Sequence, residues 1–265
     1  GEKVPKVGLG TWRLTGTDCY DAVGTALDLG YRHIDTAQAY GNERQVGEAI
    51  RDSDVDRDEV FLTTKLTGGN REYDAVLRST EESLAKLGTD YLDLLLVHWP
   101  DRRVPLRETL DAMNDLVDRG TVRHIGVSNF KLSRLREARD RSDAPLFTDQ
   151  VQFHPFWDQT DLLDYCSIHD VLLTAYSPLG HGLALDDPVL REVGDRYDKT
   201  PAQVALRWVV QHDPVVTIPK ATSREHLAAN LAVFDFSLTD DEMERIRRPS
   251  KLRTLAGFAR SQLSR

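Results

Sequence analysis

Four residues, Asp35, Tyr40, Lys65 and His98, could together deliver a proton to a carbonyl oxygen. Hydride addition to a carbonyl leaves an alkoxide, so a positioned acid must supply a proton. A tyrosine can do this if its pKa, about 10 when unperturbed, is brought closer to neutral. A neighbouring cation acts in that sense. Lys65 would favour the phenolate, Asp35 would hold Lys65 charged and oriented, and His98 would hydrogen-bond the carbonyl oxygen. Taken singly, each has an ordinary explanation: a packed tyrosine, a solvated lysine, a structural histidine or a strand-end aspartate. What joins them is their placement, each at or just beyond the carboxyl end of a short apolar run.

Those runs are Tyr31-Arg32-His33-Ile34, Val60-Phe61-Leu62-Thr63-Thr64 and Leu92 to Val97, each followed by a helix-like stretch. Parallel strands feeding one catalytic face give that pattern. After an opening Val7-Gly8-Leu9-Gly10, further strands are expected near Ile125, Val151, Leu173 and Val216, making eight in all. Helices are expected from Asp18 to Leu29, from Glu43 to Ile50 with Asn42 as cap, and from Tyr73 to Leu87 ended by Gly88. Others run from Leu106 to Arg119 ended by Gly120, and onward from Thr200-Pro201 as N-cap and first position. Two more helices stand outside the repeat, one from Pro188 to Tyr197 and one opened by the capping-box sequence Thr239-Asp240-Asp241-Glu242. The expected fold is an α/β (β/α)8 TIM barrel with extra helices and a C-terminal substrate loop, residues 1–265 forming one domain. A doubly wound sheet is the rival, but no strand leads into a G-x-G-x-x-G turn, of which Gly8-Leu9-Gly10 is only a fragment.

Composition sets the surroundings. Acidic residues outnumber basic ones 43 to 34, for a net charge of −9, which argues against a nucleic-acid partner because phosphate binding needs a basic face. The acids are 30 Asp and 13 Glu, and the bases 8 Lys and 26 Arg. A salt-rich cytoplasm or a GC-rich genome would each produce that bias, which concerns solubility rather than fold. Cys19 and Cys166 stand far apart and lack metal-ligand spacing, so neither a disulfide framework nor a metal site is expected. No stretch approaches the roughly 20 apolar residues that span a bilayer, and Gly1 to Pro5 contain no signal-peptide core. A cytoplasmic protein without membrane contact is expected.

The segment Gly30-Tyr31-Arg32-His33-Ile34-Asp35-Thr36-Ala37-Gln38-Ala39-Tyr40-Gly41-Asn42-Glu43 closely resembles the first signature of the aldo-keto reductases. Leu84 to Asp93 leading into Val97-His98-Trp99-Pro100, then Gly126 to Phe130, Gln150 to Pro155 and Ala175 to Gly180, follow in that family's order. The likeness runs from about Val4 to about Arg247, and within the family the chain is similar to microbial 2,5-diketo-D-gluconate reductase-like members. The resemblance implies the roles given above for Tyr40, Lys65, Asp35 and His98. It also implies that Tyr176 stacks on a nicotinamide, that Ser128, Asn129 and Gln150 bond its carboxamide, and that Ser177 and Leu179 contact the pyrophosphate. Lys220 and the following helix N-terminus offer a phosphate site, and Asn230 matches a contact to the adenine. Relatives that prefer NADPH carry a serine directly after this lysine and an arginine six positions after it, where this chain has Ala221 and His226. Lys220, Ser223 and Arg224 remain to hold a 2′-phosphate, so NADPH is expected, with NADH also used.

Trp12, Trp99, Phe130 and Trp157 would form apolar walls around a small-molecule carbonyl substrate, with His98 at the reacting oxygen and the segment from Ser250 to Arg265, including Phe258, closing the pocket. Small aldehydes, aromatic aldehydes, α-dicarbonyls and keto-sugar acids fit this description. The expected activity is NAD(P)H-dependent reduction of aldehydes or ketones by a monomer. Two rivals share the fold: a cofactor-binding regulatory protein, which would not need the four-residue set, and a Schiff-base aldolase using Lys65, which would not need a nicotinamide site.

Overall fold

The computed structural model describes residues 4–101, 103–157 and 159–263. Its strands are β1 (Leu9–Gly10), β2 (His33–Asp35), β3 (Phe61–Leu66), β4 (Leu92–Val97), β5 (Val122–Ser128), β6 (Leu146–Gln152), β7 (Leu172–Tyr176) and β8 (Val215–Thr217). The helices among them are α1 (Gly16–Asp28), α2 (Glu43–Arg51), α3 (Tyr73–Leu87), α4 (Leu106–Asp118), α5 (Leu132–Arg141) and α6 (Thr160–Ile168). They continue with α7 (Pro188–Tyr197), α8 (Pro201–Val210), α9 (Arg224–Leu231), α10 (Asp240–Ile246) and α11 (Lys251–Leu263). All eight strands lie in one sheet in the order β1 to β8, each parallel to the next, as in a (β/α)8 architecture. The two edges meet through one parallel bridge, Val7 with Thr217, flanked by backbone bonds from Gly8 to Thr217 and from Thr217 to Lys6, both 2.8 Å.

The glycines that read as a broken nucleotide fingerprint serve this meeting of edges. A Cβ on Gly10 would lie 2.5 Å from the Ile218 carbonyl oxygen, and one on Gly8 would lie 2.7 Å from the His33 ring. A side chain at either place would force the first strand off its neighbours.

Alternation along the strands makes two cores. Ile34, Leu62, Leu66, Leu95 and Val97 pack with the helices in the large cluster, while Phe61, Leu94 and Leu96 form a separate one with Phe147 and Val4. Asp35, Thr63 and Lys65 share the period of His33 and Phe61, so the face that fills the sheet's interior with rings at one end presents charge at the other. Parallel pairing then brings the carboxyl ends of all strands to one rim, where Asp35 faces Thr63 and Lys65 faces Leu96.

Helix signals explain several boundaries. Gly88 ends α3 with φ 66°, and capping boxes at Thr200 and Thr239 open α8 and α10. Asn42 stands at the start of α2 but makes no side-chain cap. Its amide instead donates to the carbonyls of Thr11 and Leu14, both at 2.9 Å, and its oxygen accepts from Thr36. One expectation is corrected outright: the C-terminal substrate segment is the helix α11 rather than a loop. Its packing on the turn Gly180–Gly182 is close enough that a Cβ on Gly257 would meet Leu183 at 2.8 Å. Ser264 and Arg265, and the first three residues of the chain, lie outside the described residues.

Candidate active site

The rim encloses a cavity of about 560 Å³, lined by Asp35, Tyr40, His98, Ser128, Asn129, Gln150, Tyr176 and Lys220 among others. At its floor Lys65 is fully buried, its ammonium donating to Asp35 Oδ1 at 2.5 Å and to the Thr36 carbonyl at 2.7 Å. Gln150 donates to the other Asp35 oxygen at 2.7 Å, so both oxygens of that carboxylate are engaged. The ammonium also stands 5.1 Å from the centre of the Tyr40 ring. Tyr40 closes a 3-10 turn, Gln38–Tyr40, and Gln38 fixes that turn. Its amide nitrogen bonds Ser79 and Ser83 on α3, and its oxygen accepts from Thr67 and Asn70. The His98 ring meets Tyr40 edge to face at 5.8 Å, and Asn129 takes the His98 carbonyl at 2.9 Å.

Burial sets the protonation states. It works to strip Lys65 of its proton, but the Asp35 carboxylate and Tyr40 outweigh it and raise the ammonium above its ordinary value. Burial also raises the Tyr40 phenol, more than Lys65 lowers it. The expected approach to neutrality is therefore not met in the free protein, and the phenol keeps its proton. The His98 imidazole is pushed down to about 3 by burial and by the charges of Lys65 and Arg71. The cavity floor thus holds a protonated phenol, a cation behind it and a neutral imidazole beside it, a set able to give a proton to an oxygen acquiring negative charge.

The expected cofactor contacts divide into two groups. Ser128, Asn129, Gln150, Tyr176, Ser177 and Lys220 line the cavity; Leu179, Ser223, Arg224, His226 and Asn230 do not. Tyr176 donates to Asn129 at 2.7 Å, and Ser128 donates to the Gln150 carbonyl at 2.8 Å. Asn129 and Ser177 hold left-handed backbone, φ 63° and 50°, a strain that clusters at binding sites. Ser223 caps α9 by accepting from the His226 amide, Arg224 lies 3.8 Å from Asp28, and Asn230 is buried beside Tyr31.

Of the expected apolar walls, Trp12, Trp99 and Trp157 line the cavity, but Phe130 is 2% exposed in the core and does not. Leu255 and Phe258 of α11, with His181, stand in its place on the cavity wall, and the His181 ring meets Phe258 at 5.1 Å. Gln152, unforeseen from the sequence, also lines the cavity. Its amide meets His154 Nε2 at 2.9 Å while His154 Nδ1 accepts from the Phe156 amide, so Nε2 carries the hydrogen and Gln152 must turn its oxygen toward it. Asp149, one residue before Gln150, is fully buried with no hydrogen bond to its oxygens; burial holds its carboxyl well above the usual range, the nearby Phe130 backbone opposing only in part. Both cysteines are free and buried. Among the described residues no helix is long and apolar enough to cross a membrane, and no group of acidic, His or Cys side chains is placed to hold a metal ion.

The aldo/keto reductase family model matches residues 6–250. The 9,11-endoperoxide prostaglandin H2 reductase of Trypanosoma cruzi (strain CL Brener) is 42% identical over 248 residues, covering 92% of this chain and 87% of that protein. The glyoxal reductase of Bacillus subtilis (strain 168) is 40% identical over 247 residues, covering 93% and 89%. A crystal structure bearing the provisional name 2,5-diketo-D-gluconic acid reductase B superimposes with a TM-score of 0.91 at 47% identity, covering 92% of this chain and 87% of that one. The Schistosoma japonicum aldose reductase does so with a TM-score of 0.89 at 32% identity, covering 97% and 94%. On these matches, spanning nearly its whole length, the chain belongs to the aldo/keto reductase family of oxidoreductases.

Proposed function

We propose that this protein reduces aldehydes and ketones to alcohols with NADPH, and also with NADH, using Tyr40 as the general acid. The observation that carries the reading is the buried Lys65 ammonium, locked to Asp35 and Thr36 and set against the Tyr40 ring beside a neutral His98. A neutral imidazole can donate one hydrogen bond to the carbonyl oxygen and so hold it near the phenol. As negative charge grows on that oxygen, it becomes more basic than the phenolate. Tyr40 then gives up its proton, and Lys65 stabilises the phenolate left behind.

The donor set fits a nicotinamide cofactor, which when bound supplies the hydride. Tyr176 offers a ring on the cavity wall whose orientation its bond to Asn129 fixes. Gln150 commits its nitrogen to Asp35, leaving its amide oxygen for a carboxamide, and Ser128 and Asn129 lie beside it. Ser177 and Leu179 would follow the pyrophosphate. Lys220, exposed at the cavity's edge, Ser223 at the cap of α9, and Arg224, His226 and Asn230 on that helix would meet the adenosine end. With Ala221 and His226 where a tighter 2′-phosphate grip would have serine and arginine, preference for NADPH over NADH should be modest.

Trp12, Trp99 and Trp157 suit small aldehydes, aromatic aldehydes, α-dicarbonyls and keto-sugar acids. The four-residue set and the cavity lining lie within this chain, and the proposed working form is a monomer. A Schiff-base role for Lys65 is disfavoured, because a charged ammonium bonded to Asp35 and Thr36 is no nucleophile. The test is oxidation of NADPH and of NADH with methylglyoxal, an aromatic aldehyde and a diketogluconate, with product analysis. Alcohol should form in step with cofactor oxidation. Tight cofactor binding without turnover of any of the three would support the regulatory alternative instead.

A further inference from the structure

We propose that Arg71 is a positioning residue for His98, its buried guanidinium pinning the backbone just after the imidazole and presenting positive charge to it. The inference rests on the carbonyl-reductase reading above. Arg71 lies between β3 and α3 and is 3% exposed. Its Nη2 donates to the Trp99 carbonyl at 2.8 Å and its Nε to the Thr67 carbonyl at 3.0 Å. Its own carbonyl accepts from Thr109 of α4 at 2.6 Å. With Asn129 on the His98 carbonyl at 2.9 Å, the two peptide oxygens following the imidazole are held from two different loops. His98 therefore has little freedom to swing.

A neutral amide would have sufficed to tie these loops. The molecule uses that device nearby, where Gln38 joins its turn to α3 and Asn42 holds three segments together. A buried guanidinium is costly by comparison. Both hydrogen bonds of Arg71 go to carbonyls, and the carboxylate that acts on it, Asp101, is paired with Arg103 at 2.7 Å. Burial pulls Arg71 down to about 10, which leaves it charged at neutral pH.

Among the described residues, the groups around His98 are these. Tyr40 comes from the 3-10 turn, Lys65 from β3, Asn129 from the end of β5, and Trp99 from its own loop, while Asp35 is committed to Lys65 and Gln150. Burial does most to keep His98 from protonating, and the charges of Lys65 and then Arg71 act in the same direction. Lys65 already serves Tyr40, so Arg71 is the charge whose effect falls on His98 without touching the proton donor. A doubly protonated imidazole would add a second positive charge beside Lys65 and compete with Tyr40 as the acid.

The experiment compares wild type, Arg71→Met and Arg71→Lys by nitrogen NMR titration of His98, assigned with His98→Asn, together with kcat, KM and cofactor affinity by tryptophan fluorescence. In Arg71→Met the His98 titration should move up toward its ordinary value. Carbonyl kcat/KM should fall about ten- to hundredfold with cofactor affinity unchanged, and an acidic limb should enter the rate profile. Arg71→Lys keeps the charge but cannot reach both carbonyls; it should keep the low titration and recover only part of kcat. An unshifted His98 titration and wild-type kcat/KM in Arg71→Met would overturn the inference. If that variant does not fold, full kcat/KM in Arg71→Lys would overturn it. Absence of any carbonyl turnover in wild type would sink the functional reading alone, since the NMR titration needs no turnover.

Discussion

The rim carrying Asp35, Lys65, Tyr40 and His98 and the rim carrying Lys220 to Asn230 belong to one sheet but are secured in opposite ways. At the first, Lys65 and Asp35 are buried with their charges spent on each other, on Thr36 and on Gln150. At the second, Lys220, Arg224 and His226 are exposed, and the ion pair there, Arg224 with Asp28, is long at 3.8 Å. A site that stabilises developing charge must be rigid before the reaction, because reorganising dipoles during it costs rate. A site that grips phosphate can remain open and solvated until the ligand arrives. On the proposed reading, chemistry sits where the fold is tightest and cofactor preference where the surface is open to substitution.

The largest test of that contrast is a pair of lysine variants. Lys65→Met would leave the Asp35 carboxylate buried without its cation, and chemical denaturation should show a loss of about 3–5 kcal/mol, with turnover abolished. Lys220→Met should alter unfolding by less than about 0.5 kcal/mol while weakening NADPH binding. Equal destabilisation by both would erase the distinction between the rims.

A second test uses Asp149, next to Gln150 in β6 and buried with no hydrogen-bond partner on its carboxyl oxygens. Burial raises its folded-state pKa above the unfolded value of about 4, so the unfolded chain ionises first as pH rises. Its contribution is fully present below that value and is lost as pH climbs toward the folded-state value. Asp149→Asn should therefore raise the unfolding midpoint more at pH 8 than at pH 4. A gain independent of pH would show that the carboxyl is not the strained group.

The smallest effect belongs to the open rim. His226→Arg should favour NADPH over NADH by about 0.5–1 kcal/mol, the scale of an exposed ion pair, read from the ratio of dissociation constants. No change in the ratio would place the 2′-phosphate away from position 226.

The same contrast governs what the sequence made legible. Strands and helices written in local pattern were found where expected, such as Tyr73–Leu87 closed by Gly88 and the capping boxes at Thr200 and Thr239. α11 is hard to tell from a loop in the sequence, because its packing partner is a turn far back in the chain, Gly180–Gly182. Phe130 reads as a pocket wall because an aromatic after Ser128-Asn129 does not reveal which way it faces; it faces the core. Gln38, Arg71 and Gln152 carry no local signal because their roles are contacts across loops, Gln38 reaching Ser83 some 45 residues away. The upward shift of Tyr40 was equally hidden, since burial has no signature at one position.

The most direct measurement of the central claim is single-turnover reduction of an aromatic aldehyde by wild type and Tyr40→Phe, with cofactor affinity measured on the same preparations. If Tyr40 is the acid, the variant should bind cofactor as wild type does and form alcohol about 10²-fold more slowly or worse. Alcohol formation at the wild-type rate would remove Tyr40 from the chemistry and contradict the account.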